Sequence, residues 1–168
     1  MPPLVFPHAG HAALRRHRVH LPGHAYLVTA TTLARQPFFS EFTPTCAAAR
    51  RHLDPHVCRD SRLLAWVLMP DHGHWLVQVG DGDHLASIMN RIKSATARAY
   101  NEQRTRTGAL WARAYHEHLL RGDDDVKGAA RYLVANPVRA GLVKRVGDYP
   151  FWDAVWIGDR SEGAVGAP

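Results

Sequence analysis

Between Arg62 and Val79 the chain shows its clearest pattern. Leu63-Leu-Ala-Trp-Val-Leu-Met69 is an almost unbroken apolar run, of a length that suits a central strand buried on both faces. Pro70-Asp71 turns the chain, and Gly73 to Val79 predicts the returning strand. Upstream, Tyr26-Leu-Val-Thr-Ala-Thr-Thr32 is rich in β-branched residues and predicts another strand. Strong helix formers from Ala47 to Arg51 predict a helix over Pro44 to Leu53. From Asp83 to Gln103, Leu85, Ile88, Met89, Ile92, Ala95, Ala99 and Tyr100 recur on one helical face, and Gly108 breaks the pattern. Ala112 to Arg121 is short, aromatic and apolar, as a strand would be. Asp123-Asp-Asp125 then puts carboxylates where they complement a helix N-terminus. Val126, Ala130, Leu133 and Val134 form that helix's apolar stripe. Pro137 limits it, and Gly141 closes a following turn.

Strand, helix, strand, strand, helix, strand, helix is the order of an α+β ferredoxin-like sandwich. An antiparallel sheet carries helices on one face, leaving the other for a ligand or for the last helix. Residues 1–24 lack periodicity and are expected to form a basic arm. Residues 25–156 form the domain, and the Gly/Ala-rich residues 157–168 a disordered tail.

Composition narrows the function. The 168 residues are 46% hydrophobic and 21% charged, ordinary for a globular domain. No apolar run approaches the length of a membrane span. The basic residues near the N-terminus follow a short apolar stretch, the reverse of a secretory signal. The net charge is +6, and Arg supplies 18 of the 21 cations, which favours a polyanionic partner and bidentate phosphate contacts. Cys46 and Cys58 form no metal or redox motif, which fits a reducing compartment such as bacterial cytoplasm.

Two segments carry candidate chemistry. In Met69-Pro-Asp-His-Gly-His-Trp-Leu-Val77, His72 and His74 share one strand face, where two imidazoles can chelate a divalent metal or form a polar strand edge. In Arg131-Tyr-Leu-Val-Ala-Asn-Pro137, Tyr132 and Asn136 stand one helical turn apart. They can be presented together, or serve as a packing ring and a helix-end cap. His116 and His118 form a second pair. All four histidines together would suit a zinc hydrolase.

Together these segments resemble the REP-associated tyrosine transposases, IS200-like single-tyrosine members of the HUH endonuclease superfamily. The likeness runs from about Arg15 to Trp156. It is carried by Trp66-Val-Leu-Met-Pro-Asp-His-Gly-His74, Ile92-Lys-Ser94, Gly108-Ala-Leu-Trp111 with Tyr115, Arg131-Tyr-Leu-Val-Ala-Asn-Pro-Val-Arg-Ala-Gly-Leu-Val143, and Asp148-Tyr-Pro150. The resemblance implies a metal-dependent single-stranded DNA endonuclease and strand transferase, working through a 5′-phosphotyrosine on hairpin or palindromic DNA, as monomer or homodimer at the bacterial nucleoid. It implies Tyr132 as nucleophile, and His72, His74 and Asn136 as ligands of Mg²⁺ or Mn²⁺. A catalytically inactive DNA-binding descendant is the alternative. Gly73 stands where the superfamily usually has a bulky hydrophobic residue, and is expected to leave a gap on the core face. Arg15, Arg16, Arg18, Arg91, Lys93, Arg98 and Arg139 are candidate DNA contacts, and His116 and His118 candidate supports behind the metal ligands.

Overall fold

The computed structural model describes residues 22–157. Nearly all of the expected basic arm, with Arg15, Arg16 and Arg18, lies outside the described residues, as does the expected tail from residue 158 on. The elements run β1 (Ala25–Thr31), α1 (Phe42–Arg50), α2 (Pro55–Cys58), β2 (Arg62–Met69), β3 (His72–Gln78), α3 (Leu85–Gln103), β4 (His116–Leu120), α4 (Asp123–Val134), α5 (Asn136–Arg139) and β5 (Trp152–Ala154). The sheet order is β4-β1-β3-β2-β5, with every pair antiparallel. The expected α+β architecture is therefore present. β5, which the sequence pattern did not announce, extends the sheet along β2.

Register decides which side chains share a face. Across the sheet, Thr29 lies opposite His74 and His74 opposite Val67; Thr31 lies opposite His72 and His72 opposite Met69. Trp66 and Trp75 pair on the other face. That tryptophan face is covered by α1 and α3, which pack on each other and bury Leu85, Ile88, Met89 and Ile92 completely. Trp75 is fully buried and sits edge-on to Trp111. Its indole N–H donates to His52 Nε2 at 2.8 Å, while His52 Nδ1 bonds the Ala49 carbonyl at 2.9 Å and the ring stacks on Trp66. Both imidazole nitrogens are thus satisfied in the neutral form.

Burial pushes His52 down from 6.5 to about 4, the Ala49 carbonyl pulling the other way. Between those values the unfolded chain binds a proton that the native protein refuses. Native stability is therefore expected to fall by a few kcal/mol as the pH drops through that window. Urea midpoints measured across it should decline, and the decline should shrink in His52→Gln. A flat wild-type profile would contradict a buried neutral His52.

No gap exists beside Gly73. The Trp75 ring folds back over it, so that a Cβ built there would lie 2.4 Å from Cη2 and 2.7 Å from Cζ2 of the indole. The bulk that a larger residue would supply comes from the side chain two positions along on the same face. Gly73→Val is expected to cost about 1–3 kcal/mol by overpacking. Chemical denaturation reads this, and an unchanged midpoint would show that the indole yields freely.

The histidine face is covered by α4, which lies against β2 and β3 and buries Ala130 and Leu133. Its acidic first turn follows the Gly122 N-cap, which has no side-chain cap. Gly141 adopts a φ of +73° just past α5 and closes the turn there, its N–H donating to the Val138 carbonyl.

Candidate active site

β3 is flanked by β1 and β2, so its two histidines stand on an internal strand. The turn before it is pinned: Thr32 donates to the Asp71 carbonyl through both its N–H (2.9 Å) and its hydroxyl (3.0 Å). The Asp71 carboxylate then accepts from His72 Nδ1 at 2.6 Å and from Arg35 at 3.2 Å. Burial raises the Asp71 carboxyl, but the His72 and Arg35 contacts outweigh it and hold the group below the usual carboxylate range. An ionised Asp71 fixes the His72 tautomer with its proton on Nδ1 and a lone pair on Nε2. His74 Nδ1 shares a hydrogen bond with Thr29 Oγ1 at 2.7 Å. Burial, and then the neighbouring His72 and Arg139, push His74 well below the imidazole range. The two rings meet edge to face at 4.9 Å. Each ring has its Nδ1 engaged by the protein, which leaves Nε2 as the nitrogen that could take a ligand.

Tyr132 lies in the last turn of α4, half-buried. The helix stops at Ala135, because Pro137 has no N–H to offer the Leu133 carbonyl. Asn136 Nδ2 donates to the Leu133 carbonyl at 2.9 Å, capping the end of α4. Its Oδ1 accepts from Arg139 Nη2 at 2.7 Å. Arg139 Nη1 also donates to the Tyr132 carbonyl at 2.9 Å, and the guanidinium carbon lies 3.6 Å from the centre of the Tyr132 ring. One guanidinium thus joins the tyrosine and the amide, and its charge is felt at His74. Sequence reading placed Arg139 only among possible phosphate contacts. Its spacing three residues after Asn136 carries part of the missed signal, because i and i+3 share a helical face, while the reach back to Tyr132 crosses the end of α4.

Among the described residues no cluster of three or more His, Cys, Asp and Glu side chains could hold a metal ion. His116 is exposed and pairs with Thr29 on β1, and His118 is exposed and pairs with Leu27. β4 stands two strands, about 10 Å, from β3, so a four-histidine zinc site does not form. Two imidazole nitrogens and the Asn136 amide oxygen would together make a mixed nitrogen and oxygen set, of a chemistry that suits a divalent cation completed by phosphate or water oxygens.

The other expected DNA contacts divide. Arg91 is held by the Asp83 carboxylate and by the Val57 carbonyl at 2.8 Å. Lys93 Nζ is held by the carbonyls of Ala112 and Arg113, at 2.6 and 3.2 Å. Both spend their donors inside the fold. Arg98 is exposed on α3. Among other tyrosines, Tyr100 is 2% exposed and meets Phe38 and Phe39 edge-on. Cys46 and Cys58 are free thiols, and no described helix is long and apolar enough to cross a membrane.

An antiparallel five-stranded sheet with helices packed on it is also the fold of a solved transposase. The family model "Transposase IS200 like" matches residues 27–135, and the chain belongs to that family. A REP-associated tyrosine transposase of Escherichia coli K12 is 27% identical over 164 residues, covering 89% of this chain and 94% of the relative. A putative REP-associated tyrosine transposase of Haemophilus influenzae is 32% identical over 98 residues, covering 52% and 56%. A solved REP-associated tyrosine transposase bound to a REP hairpin superposes with a TM-score of 0.64 at 25% identity, covering 82% of this chain and 81% of that one. A putative Deinococcus radiodurans transposase shares the fold, with a TM-score of 0.50 at 17% identity over 71% and 95% of the two chains.

Proposed function

We propose that the chain is a metal-dependent, single-tyrosine endonuclease and strand transferase acting on single-stranded DNA with a hairpin. The observation that supports this best is that Arg139 ties Tyr132 to Asn136 at the end of α4, the helix that packs on β2 and β3, the strands around the histidine pair. The hairpin substrate is inferred from the solved relative, which is described as bound to one.

In this reading His72 and His74, through Nε2, and Asn136, through Oδ1, would hold Mg²⁺ or Mn²⁺. A divalent cation there would neutralise charge on the non-bridging oxygens of the scissile phosphate. Asp71 and Thr29 keep both imidazoles oriented. The Tyr132 hydroxyl attacks phosphorus, forming the phenolic O–P bond and releasing its proton to solvent. The P–O3′ bond breaks, and the departing 3′ oxygen takes up a proton to become a free hydroxyl. The product is a 5′-phosphotyrosine whose bond energy allows the reverse attack to rejoin strands. Arg98 and the arginines of the arm remain candidate phosphate contacts, with the arm of residues 1–24, the domain of 25–156 and the tail of 157–168 as the proposed division of the chain. His116 and His118, on the same face, are proposed to meet the DNA backbone and not the cation.

Incubation with 3′-end-labelled hairpin DNA and Mn²⁺ should leave label covalently on the protein, in a reaction that chelation stops. Salt-sensitive DNA binding with no adduct under any divalent metal would instead identify an inactive DNA-binding descendant.

A further inference from the structure

Arg139 makes three contacts, all with Tyr132 and Asn136, the two residues of this helix end that the proposed reaction uses. One arm of its guanidinium takes Asn136 Oδ1 at 2.7 Å, the oxygen proposed to face the metal. The other takes the Tyr132 carbonyl at 2.9 Å, and the plane between them covers the Tyr132 ring at 3.6 Å. The Asn136 amide is also tied through Nδ2 to the Leu133 carbonyl, so Oδ1 has little freedom to turn toward a second partner elsewhere.

An amide oxygen has two lone pairs, yet two cations sharing it at bonding distance repel strongly in a partly desolvated site. Occupancy of Oδ1 by the guanidinium and by a divalent ion is therefore competitive. Arg139 is exposed and carries a long flexible stem, so it can leave without moving the backbone of α4 or α5. What it leaves behind is partly shaped, because the amide stays fixed by its second hydrogen bond.

We propose that Arg139 is a positioning residue that serves as a stand-in cation in the metal-free protein, holding Tyr132 and Asn136 in register and surrendering Asn136 Oδ1 when a divalent ion binds. This rests on the metal-dependent reading given above. It makes the arginine an obstacle to metal loading, which a merely structural side chain would not be. Removing a structural support weakens a metal site; removing a competitor tightens it.

The test is a double-mutant cycle in Mn²⁺ affinity, read from the electron paramagnetic resonance of free Mn²⁺ with the full chain and no DNA. Arg139→Gln is expected to tighten Mn²⁺ binding about 5-fold in the wild-type background and less than about 2-fold when Asn136→Ala is already present. Arg139→Lys keeps the charge but cannot fork across both acceptors, and is expected to tighten binding by a smaller margin. It carries the comparison if Arg139→Gln does not fold. Unchanged or weaker affinity in the folded Arg139 variants would overturn the proposal. Equal tightening with and without Asn136 would also overturn it, because that would be charge repulsion alone. His74→Ala separates the two levels. If it weakens Mn²⁺ binding while the Arg139 variants change nothing, the stand-in role fails and the metal site stands. If it changes nothing, the metal site itself fails and the stand-in role falls with it.

Discussion

Tyr132→Phe is expected to erase the protein–DNA adduct and strand cleavage while leaving fold, Mn²⁺ affinity and DNA binding intact. The change removes one oxygen. The phenyl ring keeps the volume and the π face on which Arg139 rests at 3.6 Å, so the end of α4 retains its packing. Only the attacking atom is lost. Removal of a covalent nucleophile costs on the order of 10⁴-fold or more in rate. No concentration of Mn²⁺ restores what the hydroxyl supplied. Tyr100 offers no replacement, being buried between Phe38 and Phe39 on the far side of the sheet from His74. Single-turnover cleavage of labelled hairpin DNA measures the effect, and an adduct persisting in the variant would remove Tyr132 from its proposed role.

His74→Ala is expected to behave differently. It takes away one of two imidazole donors and the hydrogen bond to Thr29, on a strand flanked by partners on both sides. The nucleophile stays in place, so the chemistry should survive weakly. Loss of the charge neutralisation that a bound cation gives the phosphate is worth several kcal/mol, or about 1,000-fold in cleavage at moderate Mn²⁺. Raising Mn²⁺ should recover part of the rate in His74→Ala and none in Tyr132→Phe. That contrast separates a weakened ligand set from a missing nucleophile. Cleavage by His74→Ala at the wild-type rate and the wild-type Mn²⁺ dependence would contradict a metal role for the pair.

Much of the frame was legible because it is written in local pattern. The apolar run from Leu63 to Met69 became an internal strand, and the 3.6-residue recurrence from Leu85 to Tyr100 became the buried face of α3. The i, i+2 spacing of His72 and His74 put both on one face, as strand geometry requires. β5 was not legible, because Trp152–Ala154 is too short to show alternation and gains its identity only by pairing with β2. Asp83 illustrates another limit. It reads as a helix-start residue, but α3 begins at Leu85, and the Asp83 carboxylate instead clamps Arg91 and accepts from Ser61. Arg91 and Lys93 looked like phosphate contacts because their partners, a carboxylate eight residues back and carbonyls about twenty residues on, are invisible to local pattern.

The site shows the same division. The residue types and their spacing on each element were readable. What joins them was not: the Asp71 and Thr29 contacts that set the imidazoles, and the guanidinium of Arg139 that links Tyr132 to Asn136. Gly73 is the sharpest instance. Taken alone it suggested a gap on the core face, whereas the Trp75 ring, anchored by His52, fills the space that the glycine leaves.

The central claim is that DNA becomes attached to one tyrosine beside the histidine pair. Trypsin cuts after Arg131 and Arg139, so Tyr132 begins its own short peptide. Mass spectrometry of the nuclease-trimmed adduct should find the nucleotide 5′-phosphate on peptide 132–139, at Tyr132. Nucleotide found on Tyr100, on Tyr115 or on no tyrosine would contradict the account.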